Sequence, residues 1–198
     1  DIKTMSKKKP NRVIISGLGI SGLITAALLC KEKIKVECFE PSDISKFCED
    51  QRTTAFLKPA IGVFKEIGIW EKIEPISQPL KEMEIIDAGN SKNGEIASVV
   101  FEPKEINIEY FGYNIPNNIL RSELLGWLKK NKNFFLHMGD SIVDHYAFDD
   151  NILVKTANGK KLEGELLISC EGKDSPIRKR EKINTIQASY NQLAMVFQ

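Results

Sequence analysis

The residues best placed to do chemistry in this 198-residue chain are glycines rather than acids, bases or nucleophiles. Gly17-Leu18-Gly19-Ile20-Ser21-Gly22 has GxGxxG spacing and falls where an apolar run gives way to a helical pattern. There Gly17 permits a tight turn, Gly19 lets backbone approach a pyrophosphate, and Gly22 lets the helix pack closely on the strand. The helix N-terminus, with Ile20 and Ser21 in its first turn, offers free N–H groups to a negative charge. Glu40 follows about twenty residues on, where an acidic side chain can accept hydrogen bonds from a ribose. Glycine turns of purely structural use are the plainer reading. Strand, helix and acid all fall into place, however, and the set reads as a dinucleotide site. By itself it does not separate NAD from FAD.

The elements that must position these residues are legible from pattern. Arg12–Ser16 is a β-branched apolar strand, Ile20–Lys33 an Ala- and Leu-rich helix, and Ile34–Glu40 a second strand. Such a unit implies parallel strands with a right-handed crossover. Pro59 suits the first turn of a helix reaching about Ile67, which Gly68 would end. Segments 81–88, 96–102 and 108–115 are short and partly alternating, with turns at Gly89-Asn90, Asn93-Gly94 and Pro103. They read as strands of a mostly antiparallel inserted sheet. Asn118 can cap a helix in which Leu120, Leu124 and Leu128 recur, with Leu125 widening the apolar face. Strands are expected at 134–138, 141–148, 152–157 and 161–169, with a hairpin turn at Asn158-Gly159, and Ala194–Gln198 reads as the start of another.

Composition excludes several classes. A net charge of +1 gives no electrostatic case for nucleic acid. Cys30, Cys38, Cys48 and Cys170 form no CxxC pair, and the two histidines, His137 and His145, have no cysteine at ligand spacing. Neither a metal site nor a disulfide framework is expected, and reduced cytoplasmic thiols are the simpler reading. The apolar stretch Leu23–Cys30 is too short to span a bilayer. Lys7-Lys8-Lys9 leads into no apolar segment, so no secretory signal is read, and Met5 could be the natural start. His137 and His145 read as structural, Trp70 and Trp127 as core, and Cys170 as a buried apolar thiol.

Three further segments carry a resemblance. Arg52-Thr-Thr-Ala-Phe56, followed by a helix ending Phe64-Lys-Glu-Ile-Gly-Ile-Trp70, is similar to the region after the second strand in class A flavoprotein monooxygenases. Asn118-Ile-Leu-Arg121-Ser-Glu-Leu124, preceded by Phe111-Gly-Tyr113, resembles their Arg-x-x-Leu helix. Leu166-Leu-Ile-Ser-Cys-Glu-Gly172-Lys-Asp-Ser175-Pro-Ile-Arg178 resembles their Asp-Gly-x-x-Ser-x-x-Arg fingerprint after an apolar strand. The order matches along nearly the whole chain, and within the family the likeness is to the hydroxylases of ubiquinone biosynthesis.

The resemblance implies an α/β fold: a Rossmann-like, three-layer FAD-binding domain of the GR2 type, with an inserted, mostly antiparallel sheet of a substrate domain. Residues 1–80 and 118–180 would form the FAD-binding domain, 81–117 the inserted sheet, and 181–198 the start of an incomplete substrate domain. Gly17, Gly19, Ile20, Ser21, Gly22 and Glu40 would hold the ADP half of FAD. Arg52 and Arg121 would contact its phosphate or ribityl region. Glu171, Gly172, Ser175 and Arg178 would lie near the pyrophosphate and take part in the use of NAD(P)H as electron donor. Glu171 stands where the family usually has Asp, which moves the carboxylate by about 1.5 Å. Arg52 and Arg121 can equally be surface or helix-face arginines. Arg178 sits in a basic run with Lys179 and Arg180, and such runs are usually solvated faces.

The implied activity is hydroxylation of a polyprenyl phenol or quinone precursor with O2, which leaves the catalytic residues unnamed because the cofactor carries the chemistry. A polyprenyl substrate would place the intact enzyme in the cytoplasm, at the inner face of a membrane or within a peripheral complex. A late Gly-Asp motif of the family is missing, so the chain reads as an N-terminal portion. Two alternatives stand beside this reading: a related FAD-dependent reductase or halogenase, and a catalytically incomplete remnant that binds FAD.

Overall fold

A computed structural model describes residues 11–43, 45, 49–87 and 97–195. The turns expected at Gly89-Asn90 and Asn93-Gly94, Cys48, the Lys7–Lys9 run and the last three residues lie outside them. The chain divides into two compact units, residues 1–50 with 124–198, and residues 51–123.

In the first unit β1 (Arg12–Ser16) is the central strand of a parallel sheet. It pairs on one side with β2 (Lys35–Glu40) and on the other with β12 (Leu166–Ser169), while β8 (Phe134–Met138) extends the sheet beyond β2. The helix α1 (Ile20–Lys31) connects β1 to β2 and buries Gly22, Leu23, Ala26, Ala27 and Cys30. Alternation along β1 sends Val13 and Ile15 to one face and Ile14 to the other. Ile14 joins Phe39, Ile142, Val154 and Ile177 in a buried cluster. That cluster is closed by an antiparallel sheet of β9 (Ile142–Ala147), β10 (Ile152–Thr156) and β11 (Lys161–Gly164). The result is three layers: helix, parallel sheet, antiparallel sheet.

The second unit holds β3 (Thr53–Leu57), α2 (Lys58–Ile67), the single turn α3 (Trp70–Ile73), β4 (Gln78–Pro79), β5 (Met83–Asp87), β6 (Ala97–Phe101) and β7 (Gly112–Pro116). The helix α4 (Asn117–Lys129) begins in it and runs into the first unit. Gly68 ends α2 in the left-handed conformation with φ 86°, as its place in the sequence predicts. Trp70 is buried, whereas Trp127 is only half-buried.

Three expectations are revised. The segment 161–169 is not one strand: Gly164 sits so close to Ile14 that a Cβ would lie 2.9 Å from its side chain, and the chain there passes from the antiparallel layer to the parallel sheet. The strand expected at 108–115 starts only at Gly112 and pairs with β3 and β4, while β5 and β6 pair with each other. Ala194 and Met195 carry no strand. No helix among the described residues is long and apolar enough to cross a membrane.

One buried carboxylate ties the parallel strands together. Glu37 accepts from Lys35 Nζ at 3.0 Å and lies 2.8 Å from His137 Nε2 on β8 and 3.7 Å from Arg12 Nε on β1. The His137 ring stacks on Phe39 at 4.4 Å, which makes this histidine structural. Burial pushes the Glu37 carboxyl up, but hydrogen bonds from His137 and Lys35, helped by their charge, outweigh it and hold the group below its ordinary range. A depressed carboxyl adds stability at neutral pH and loses it as pH falls through its folded value. Glu37→Gln should therefore cost about 1–3 kcal/mol at neutral pH and flatten the acid limb of a urea-denaturation series. An unchanged acid limb would remove Glu37 from the list of stabilising groups.

Candidate nucleotide cavity

A cavity of about 770 Å³ opens at the C-terminal ends of β1 and β2, within the first unit. Its lining draws on Gly17–Gly19, Glu40–Ser42, Ser141–Val143 and the 170–180 segment. Clefts outside the carboxyl ends of parallel strands are where open α/β sheets bind ligands.

The glycine loop divides its labour. Gly17 has φ 93°, donates its N–H to Phe39 O at 2.9 Å, and has Cys170 O only 2.6 Å from where a Cβ would stand. A Cβ on Gly22 would lie 2.2 Å from Gly17 O, so the first turn of α1 can pack this closely on the Gly17 turn only with glycine at this position. Gly19 differs: a Cβ there would meet no atom within 4 Å, so its backbone borders open space that a pyrophosphate can enter. Ile20 and Ser21 form the first turn of α1, which contains no acidic residue to oppose an anion. First-turn N–H groups lack intrahelical acceptors, and the helix dipole favours negative charge beside them.

Glu40, buried at the end of β2, is pre-aimed. Its Oε2 accepts from Leu18 N at 2.8 Å and its Oε1 from Ser42 N at 2.9 Å. A carboxylate has about four acceptor positions, so two remain for ligand hydroxyls.

Glu171 is held more tightly still. Ser16 Oγ donates to Oε1 at 2.7 Å, while Ser175 Oγ, Ile177 N and Ser169 Oγ donate to Oε2 at 2.6, 3.1 and 3.2 Å. Burial raises its pKa, yet these donors, Ser175 and Ser16 foremost, bring it below the ordinary value. The Glu171 carboxylate reaches the start of α5 (Pro176–Arg180), whose N-cap is Ser175. Gly172, with φ 81°, turns the loop beside the cavity. Arg178 donates to the carbonyls of Gly172 and Lys173. Arg180, two residues on, lines the cavity and donates to Asp144 Oδ1 at 3.1 Å.

Arg52 and Arg121 belong to the second unit. Asn117 N donates to Arg52 O at 2.9 Å, and Asn117 Oδ1 accepts from Thr54 Oγ1 at 2.6 Å. Arg121 follows Asn117 by one turn of α4 and is half-buried. Ser141–Val143, Ser42 and Arg180 were not singled out by sequence; the first lie in an ordinary strand pattern and the last in a basic run. Cys170, expected buried, is half-buried at the cavity wall, and burial pushes its thiol pKa up.

Residues 11–197 match the FAD binding domain family. The chain belongs to this family. The cavity fits FAD on its own terms: open space beside Gly19, an anion-favouring helix start and a fixed acceptor at Glu40. Among relatives of this FAD-binding domain, 3-demethoxyubiquinol 3-hydroxylase of Escherichia coli (strain K12) is 23% identical over 193 residues, covering 95% of this chain and 48% of that protein. The mitochondrial ubiquinone biosynthesis monooxygenase COQ6 of Dictyostelium discoideum is 25% identical over 219 residues, covering 98% and 43%. The chain thus spans just under half the length of these relatives. Among solved structures, the Diels-Alderase PyrE3 has a TM-score of 0.71 at 20% identity, over 88% of this chain and 35% of that one. The p-nitrophenol 4-monooxygenase PnpA from Pseudomonas putida DLL-E4 has a TM-score of 0.68 at 20% identity, over 85% and 42%. These two share the fold.

Substitutions at the glycines should separate folding from binding. Gly22→Ala drives a Cβ into a carbonyl and should destabilise the domain by about 3 kcal/mol or more. Gly19→Ala should melt like wild type yet weaken FAD at least about tenfold, read by melting curves and flavin fluorescence titration. Equal melting losses for both variants would refute this division. Glu171→Gln should lower stability by about 1–3 kcal/mol at neutral pH, with the difference vanishing in acid as the wild-type carboxylate is protonated. A difference that persists undiminished at low pH, in chemical denaturation, would contradict it.

Proposed function

We propose that this FAD-binding domain belongs to a monooxygenase that hydroxylates a polyprenyl phenol or quinone precursor in ubiquinone biosynthesis. NAD(P)H is the electron donor and O2 the oxidant. The observation that carries this reading is similarity to ubiquinone-pathway hydroxylases along 95% of the chain, on a scaffold whose cavity suits a dinucleotide. One oxygen atom enters the ring as hydroxyl and the other leaves as water, while NAD(P)H is oxidised. FAD, when bound, supplies the electron transfer and oxygen activation; the protein supplies position and shelter from water.

In this reading Gly17, Gly19, Ile20, Ser21, Gly22 and Glu40 hold the ADP half of FAD. Arg52 and Arg121 meet its phosphate or ribityl region. Glu171 shapes the loop carrying Gly172, Ser175 and Arg178 beside the pyrophosphate and the site of nicotinamide use. A polyprenyl tail would bring the whole enzyme to the inner face of a membrane or into a peripheral complex of the pathway.

The full-length protein should purify with flavin absorbance. Supplied with NAD(P)H, a polyprenyl phenol and isotopically labelled O2, it should place one labelled oxygen in the product, detected by mass spectrometry. NAD(P)H oxidation with no label in the ring would favour a reductase and overturn the hydroxylase reading, and absence of flavin would overturn both.

A further inference from the structure

We propose that Arg180 is a cation that meets the phosphates of the bound cofactor's ADP half from the cavity wall, with Asp144 as the side chain that keeps it aimed. The inference rests on the FAD-binding reading of the cavity and extends it to a residue outside the recognised motifs.

Charge within the cavity carries the assignment. Its lining includes three carboxylates, Glu40, Glu171 and Asp174, and among the described residues one cation, Arg180. A dinucleotide brings two further negative charges into this space. Glu40 is engaged by two backbone N–H groups, and Glu171 by three hydroxyls and a backbone N–H. Neither offers a donor to a phosphate. The helix start beside Gly19 offers only partial charge. Among the described residues that line this cavity, the side chain carrying a full positive charge is Arg180.

Arg178 is occupied elsewhere, since its guanidinium donates to the carbonyls of Gly172 and Lys173 on its own loop. Arg180 lies three residues beyond Ile177, so the two share a face of α5, and both line the cavity. Asp144 takes one Arg180 N–H at 3.1 Å and the Tyr146 hydroxyl at 2.6 Å. A guanidinium has five N–H donors in a rigid fork, so this bridge fixes its direction and leaves donors for phosphate oxygens. Beside that bridge His145 Nε2 lies 2.6 Å from Glu181 Oε1, so β9 grips the end of α5 at two successive residues.

The test is nucleotide binding to the deflavinated full-length protein, by calorimetry with ADP and with adenosine. Arg180→Gln should weaken ADP about tenfold and adenosine by less than about twofold, and should flatten the salt dependence of ADP binding. Asp144→Asn, which weakens the holder but keeps the cation, should weaken ADP about threefold and leave adenosine unaffected, and ADP affinity equal to wild type removes Asp144 from the assignment. Unchanged ADP binding in R180Q overturns the assignment. So does an equal loss for adenosine, or a loss in D144N matching that in R180Q, because a mere strut would fail from either end. If R180Q does not fold, R180K decides: ADP weakened about threefold with adenosine unaffected supports the proposal, and unaltered ADP overturns it. A wild-type protein that binds neither FAD nor ADP sinks the cavity reading itself, a result distinct from any of these.

Discussion

Four donors converge on the carboxylate of Glu171, and the cavity depends on that convergence. Ser16 ends β1, Ser169 ends β12, and Ser175 with Ile177 N begins α5. One anion therefore fixes two strand ends and a helix start that have no covalent reason to stay together. Hydrogen bonds to a charged acceptor are stronger than neutral ones, and a partly buried network of this kind has few cheap alternatives. Because Glu171 is spent on its own protein, its work is architectural. It sets where Gly172 turns and which way the face of α5 carrying Ile177 and Arg180 points.

Glu40 and Glu171 are both acidic residues at strand ends, yet their surroundings divide their tasks. Glu40 is steadied by two backbone amides and keeps acceptor capacity on the side of the cavity. Glu171 is saturated by hydroxyls. Between them Gly17 leaves room for the Cys170 backbone, and Gly22 removes the Cβ that would hold α1 off the Gly17 turn. Deeper in the same sheet Glu37 repeats the saturated pattern with Lys35 and His137 instead of hydroxyls.

What the sequence revealed follows the range of the forces involved. The β1–α1–β2 unit was legible because its period, its glycines and Glu40 lie within thirty residues of each other. Gly68 and Asn158-Gly159 were legible because a left-handed turn is a local demand on residue type. β3 was not legible: Thr53–Leu57 alternates between exposed and half-buried positions and becomes a strand through pairing with β7, some sixty residues later. The break between β11 and β12 escaped for a similar reason, since the contact of Gly164 with Ile14 is long-range. In the cavity, the glycines and the acid were found, while the wall from Ser141–Val143 and the inward face of Arg180 were hidden in an unremarkable strand and a basic run.

The pairing of β1 with β12 also sets a clock on synthesis. Ser16 and Glu171 are 155 positions apart, and a ribosome adding about 5–20 residues per second needs roughly 8–30 s to cover that span. Through that interval β1 lacks its neighbour on one side, and the apolar residues Val13, Ile14 and Ile15 wait with an unpaired edge. Closing so long a loop costs little more entropy than closing a shorter one, but it makes the contact late and slow. The cavity is thus among the last features to exist, so the nascent chain must be guarded from edge-to-edge association before its walls come together.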